Sequence, residues 1–111
     1  GTGSTPSREH EEYFDGPFNW VLTTEVAMNE ITSTAGRLSQ QAISDYALKV
    51  YPKETILLAM YGQGKTRGQS ALLKIPAAIT QNCAGIVVDT SVAEPKFVWY
   101  FLISIYDKIR E

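Results

Sequence analysis

The 111-residue sequence has one cysteine and one histidine, and both scarcities narrow its chemistry. Cys83 has no second cysteine in the chain with which to form a disulfide, and one thiol with one imidazole falls short of the ligands a zinc site needs. His10 stands in an acidic, polar stretch, so no histidine-activated serine or cysteine nucleophile is supported. The carboxylates of Glu9, Glu11 and Glu12 crowd the same stretch, and a general acid/base pair would need one of them desolvated. They read as a solvated acidic run. Long apolar runs are lacking too: the strongest, residues 97–103, is far shorter than the ~20 residues that cross a bilayer, and no basic-then-apolar leader opens the chain. A cytoplasmic setting and no cofactor are therefore expected. The sequence does not start with methionine, which leaves a fragment boundary at Gly1 open.

Against these scarcities stand 44% hydrophobic, 11% aromatic and only 20% charged residues, a composition that folds. The length suits one globular domain spanning 1–111. A net charge of −2 argues mildly against a nucleic-acid partner, but the charge is unevenly spread. Residues 1–36 carry Arg8 against six carboxylates. Residues 37–74 carry Arg37, Lys49, Lys53, Lys65, Arg67 and Lys74 against Asp45 and Glu54, and such a basic middle is suited to phosphates. Solvated lysines scattered over a soluble surface give the same numbers.

Patterning predicts a sheet-rich α/β (α+β) domain with short helices and an apolar C-terminal helix. Residues 1–16 are rich in Gly, Ser, Thr, Pro and Glu and read as an extended loop, and Pro17-Phe18-Asn19-Trp20-Val21-Leu22 reads as the first strand. Spacing from 24 to 47 is mixed, with Ser39 an N-cap for a short helix that stops near Ser44-Asp45. Pro52-Lys53-Glu54 makes a turn into residues 55–61, an apolar run with the look of a strand buried on both faces. After three glycines, residues 70–75 form a further strand that ends at Pro76, and Ile79 and residues 84–88 form another strand or pair. Glu94-Pro95 opens a helix over 94–110. Val98, Leu102, Ile105 and Ile109 share one stripe of it, while Trp99, Tyr100, Ile103 and Tyr106 lie off that stripe, so part of the helix is expected to pack on another chain.

Ala59-Met60-Tyr61-Gly62-Gln63-Gly64-Lys65-Thr66 fits a loose phosphate-binding loop, and Gly85-Ile86-Val87-Val88-Asp89 fits an apolar strand ending in a magnesium-binding carboxylate. That pairing would make a nucleotide-binding protein. The loop chemistry requires a helix to begin at Gly64-Lys65-Thr66, so that its N–H groups and dipole meet the phosphates. Gly68 disfavours that helix and Pro76 limits it. An open loop between two strands is the better expectation.

The order of several short segments resembles the target-recognition domain of specificity subunits from type I restriction-modification systems. The segments are Thr5-Pro6-Ser7-Arg8, Tyr13-Phe14, Asp15-Gly16, Trp20-Val21, Leu38-Ser39 and Ile43-Ser44, then Pro52-Lys53-Glu54-Thr55-Ile56-Leu57-Leu58. Tyr61-Gly62-Gln63-Gly64-Lys65-Thr66-Arg67-Gly68, Ala71-Leu72-Leu73, Thr80-Gln81-Asn82-Cys83-Ala84-Gly85-Ile86 and the aromatic C-terminal helix complete it. The resemblance implies a non-catalytic domain that reads one half of a split sequence in double-stranded DNA, with methyltransferase and endonuclease activities in partner subunits. A full specificity subunit carries two such domains joined by long helices, whereas this sequence stops at Glu111 before any such helix. A fragment, a truncated relic and a module that pairs with itself as a homodimer all stay open. So does a protein-interaction module without DNA binding.

On this reading Gly62, Gly64 and Gly68 let the loop backbone approach DNA, and Gln63, Lys65, Thr66, Arg67 and Gln69 project from it. Arginine and lysine donate to guanine, glutamine pairs bidentately with adenine, and lysine, threonine and N–H groups serve phosphates. Arg8, Thr5, Arg37 and Gln81 are secondary candidates. A solvated hairpin tip is the bland alternative for Lys65 and Arg67. Trp20 and Tyr61 are expected in the core.

Overall fold

In a computed structural model the described residues are 11–60 and 68–106. Seven strands appear among them: β1 (Phe18–Val21), β2 (Asn29–Ile31), β3 (Gly36–Leu38), β4 (Ile56–Ala59), β5 (Ser70–Leu73), β6 (Ala78–Ile79) and β7 (Cys83–Ile86). Two helices accompany them, α1 (Gln40–Asp45) and α2 (Pro95–Ser104), with 3-10 turns at Glu11–Phe14 and Thr23–Glu25. The strands form two sheets, ordered β3-β1-β6 and β2-β5-β4-β7, which makes the class α+β as the patterning suggested.

Strand alternation sends side chains into three separate cores. On β4 and β5, Leu57, Ala59, Ala71 and Leu73 point between the sheets, where they meet Val21, Ile79 and Tyr51. Their neighbours Ile56 and Leu72 point the other way and pack with Trp99 of α2. On the three-stranded sheet Val21 and Ile79 face inward, while Trp20, Leu38 and Ala78 face outward onto Ala42 of α1. The layers therefore run α1, three-stranded sheet, four-stranded sheet, α2. Both faces of each sheet are covered, which is why residues 55–59 read as an unbroken apolar run rather than an alternating one. Each fully buried aliphatic side chain here contributes about 1.5–3 kcal/mol relative to exposure.

Local chemistry sets the ends of the helices. The Ser39 hydroxyl accepts from the Ala42 N–H at 3.2 Å and caps α1. Pro95 occupies the first turn of α2, where its missing N–H leaves no intrahelical bond unmade. The helix expected over 94–110 is seen as Pro95–Ser104, and residues 107–110 lie outside the described residues. At the other terminus, where a loop was expected through Gly16, Glu11–Phe14 forms a 3-10 turn docked on α1. There the Tyr13 hydroxyl donates to Asp45 Oδ2 at 2.6 Å, and that bond to a carboxylate pushes the phenol up to about 12.

Two strands escaped the sequence. β2 and β3 are three residues long and lie at the edges of their sheets, each with a single buried residue, Ile31 and Leu38. Three residues give alternation no room to show.

Tyr51 is buried between the sheets, and its ring lies over Gly85 of β7. A Cβ at Gly85 would sit 2.5 Å from that ring, too close for either to stay in place. Gly85→Ala is expected to lower stability by about 1–3 kcal/mol, as overpacking does, read as a fall in the midpoint of thermal unfolding. An unchanged midpoint would mean that the ring has space to withdraw.

Candidate nucleic-acid interface

Strand direction decides which loops share an end. β4 pairs antiparallel with β5 and β7, while β2 runs parallel to β5 and β1 parallel to β6. The C-terminal ends of β4, β1 and β6 and the N-terminal ends of β5, β7 and β2 thus meet on one side. On that side lie Met60, Gly68 and Gln69, the turn at 81–82, the 3-10 turn Thr23–Glu25 and residues 26–28.

The base of the 60–69 connection is a glycine bulge. Gly68 N–H donates to Ala59 C=O at 2.8 Å, and Ala59 N–H donates to Gln69 C=O at 2.9 Å, so two residues of one strand oppose one of the other. Gly68 has φ 89, a left-handed value that suits glycine at this position. From Ser70 the chain is strand, paired with β4 in the register Leu58↔Ser70. A phosphate-binding loop would be followed there by a helix, and β7 would run parallel to β4, whereas both neighbours of β4 are antiparallel. Asp89, the supposed magnesium ligand, lies beyond β7, and its Oδ1 accepts from Ser91 N–H and Oγ–H at 3.0 and 2.6 Å, which hold its carboxyl below the usual range. β4 and β5 are the two strands expected on either side of the glycine-rich segment, and residues 61–67 between them lie outside the described residues.

Neighbouring segments are laced to this base. Met60 N–H donates to Asn82 C=O at 2.9 Å, and Met28 N–H donates to Ser70 C=O at 2.7 Å. Met28 adopts φ 57, a left-handed conformation costly for a side-chain-bearing residue and held here by its hydrogen bond. Below the 81–82 turn, Thr80 Oγ1 and Thr23 Oγ1 lie 2.9 Å apart, with Cys83 Sγ 3.7 Å from the first and 3.8 Å from the second. Burial pushes the Cys83 thiol up, against the opposing pull of the two hydroxyls. The group ties β1 of one sheet to β7 of the other.

The sequence candidates divide into three groups. Gln63, Lys65, Thr66, Arg67, Gly62, Gly64, Arg8 and Thr5 lie outside the described residues. Gly68, half-exposed Gln69 and exposed Gln81 stand together at the loop end. Arg37 does not join them: it sits on edge strand β3, where Nη1 donates to Asn19 Oδ1 at 2.7 Å and to Pro17 C=O at 3.5 Å, towards the start of β1. A cleft of about 280 Å³ beside it is lined by Phe14, Trp20, Leu22, Ala35, Gly36 and Arg37.

Nor do the basic residues of the middle form one patch among the described residues. Lys53 lies in the turn before β4 and Lys74 follows β5, so both are at the end opposite the 60–69 connection. Lys74 is bound to Glu54 at 2.6 Å, and that carboxylate raises its pKa. Lys49 lies over the Tyr51 ring, 4.9 Å from its centre. Sequence reasoning missed the polar groups of residues 26–29 and Asn82, which no spacing rule marks and only strand pairing brings to this end.

On α2, Trp99 is buried, 5% exposed, against Ile56 and Leu72, and Ile103 packs beside it. Tyr100 is outside at 53% exposure and Tyr106 is half-buried, while Phe97 and Phe101 add exposures of 71% and 57%. The outer face of the helix is aromatic.

No family model matches the chain. It is similar to the type I restriction enzyme MjaIX specificity subunit of Methanocaldococcus jannaschii, at 28% identity over 102 residues. The similarity covers 89% of this chain but 23% of the relative, so the chain spans about a quarter of that protein's length.

Because alanine resists the left-handed φ of 89 at position 68, Gly68→Ala is expected to cost about 1–2 kcal/mol. Chemical denaturation should show the loss, and amide exchange should place it in β4 and β5. Equal protection in both proteins would remove the bulge as the element that closes the hairpin.

Proposed function

We propose that this chain is a non-catalytic recognition domain for double-stranded DNA that reads one half of a split target. The observation that carries this reading is the similarity to a restriction specificity subunit, which runs over 89% of the chain. The fold supports it by gathering a glycine-rich connection and an amide-bearing turn at one end of two covered sheets. Gln63, Lys65, Thr66, Arg67 and Gln69 are the leading contacts, with Gln81 beside them. Lysine, threonine and backbone N–H groups hold phosphates, while arginine and glutamine address base edges. Arg8 is a further phosphate contact, and Arg37 serves only if it releases Asn19. No helix among the described residues is long and apolar enough to cross a membrane, and the reading places the protein with cytoplasmic DNA. Methylation and cleavage belong to partner subunits of such a system, with a methyltransferase subunit as the direct neighbour.

A second reading, an association module, is favoured by one observation: Phe97, Tyr100 and Phe101 are more than half exposed on a single helix. The two readings are compatible, since a half-site reader gains a whole site by pairing with a second copy.

Replacing Lys65 and Arg67 together by alanine should weaken duplex binding and reduce the salt slope by about one unit for each phosphate no longer neutralised. Titrations at several salt concentrations check this, and an unaltered affinity and slope would take the loop out of the interface. For α2, light scattering after gel filtration should show association that Phe97→Ser with Phe101→Ser abolishes. A strict monomer at high concentration would count against pairing through this helix.

A further inference from the structure

Gln81 and Asn82 occupy the centre of a four-residue turn closed by Cys83 N–H donating to Thr80 C=O at 3.1 Å. Its two feet are buried, Thr80 at 7% and Cys83 at 0% exposure, and both are tied to Thr23 by the hydroxyl and thiol contacts described above. A third tie comes from the side: Asn82 C=O accepts from Met60 N–H, where the chain leaves β4. The turn's backbone is thus fixed on two sheets at once. Its two carboxamides are not used in this, for both residues are exposed and neither side chain has a hydrogen-bond partner among the described residues.

We infer that this turn is a second base-reading element, with Asn82 as its principal contact and adenine of an A·T pair in the major groove as its target. The inference rests on the DNA-recognition reading and adds a residue and a base to it. A carboxamide presents one donor and one acceptor, the complement of adenine N7 and its 6-amino group, and so forms a bidentate pair there. Being uncharged, it adds little to phosphate attraction and acts on sequence choice. Anchoring matters because a rigid turn loses little freedom on binding, whereas a mobile amide would give back much of the gain. Glu25, in the 3-10 turn at this end, has its carboxylate engaged by the Leu22 and Ala35 N–H groups at 2.9 and 3.4 Å.

The test is selection from a random duplex library with the full chain and with Asn82→Ala, Asn82→Asp and Gln81→Ala. The Met60 bond uses the Asn82 backbone, so the substitutions leave it in place. Wild type should enrich adenine at one or two positions. Asn82→Ala should flatten one of them and weaken binding to the wild-type sequence roughly 5- to 150-fold, the range for a bidentate base contact, with the salt slope unchanged. Asn82→Asp, whose carboxylate accepts from cytosine N4, should shift that position towards cytosine. Enrichment of the same sequence by all variants at the same affinity would overturn the inference, as would an equal loss on every sequence. Wild-type binding without adenine preference sinks the turn's role and leaves DNA recognition standing, whereas no binding to any duplex removes both.

Discussion

β4 is hydrogen-bonded to a strand on each edge and covered on each face, so its four residues determine the placement of nearly everything else. Leu57 and Ala59 fill the space between the sheets while Ile56 fills the space under α2. A slip of one residue would exchange these faces, turning Ile56 and Leu58 towards the inter-sheet core and Leu57 and Ala59 towards α2. Pairing on both edges, Ile56 with Leu72 and with Ile86, holds the register. A fixed β4 in turn fixes where Met60 and Gly68 stand at its end.

The same constraint explains why chemistry gathers at one end. Antiparallel pairing on both sides of β4 puts its C-terminal end beside the start of β5 and the start of β7, and parallel pairing of β1 with β6 brings Thr23 to Thr80. The opposite end holds the Glu54–Lys74 pair and the turn before β4, where an ion pair exposed on both sides contributes little to stability. At the loop end, by contrast, the main chains of Met60 and Asn82 are bonded to each other and the Glu25 carboxylate accepts from the Leu22 N–H, which fixes the backbone there.

Much of the framework was legible in the sequence because single residues carry unambiguous signals. Ser39 as a cap, Pro95 as a helix opener and the run from Thr55 to Ala59 each act through local rules that the fold obeys. β2 and β3 were hidden because three-residue edge strands are specified by their partners, Ser70–Leu73 and Phe18–Val21, and not by their own pattern. The site was legible in part. Gly68 and Gln81 were marked by turn composition, but the dispersal of the basic middle was not, since strand direction carries Lys53 and Lys74 to the end opposite Gly68 and puts Arg37 on edge strand β3. Asn82 carried no signal of its own, because the backbone bond that sets it beside Met60 joins residues remote in sequence.

The glycine bulge closes the hairpin through the backbone of Ala59, Gly68 and Gln69. Doubling the length of the connection it closes would raise the closure cost by only about 0.6 kcal/mol. Such a segment can diverge quickly in composition and size while the body of the domain is inherited unchanged. On the proposed DNA-recognition reading, a lineage acquires new sequence preferences in this way without refolding the scaffold.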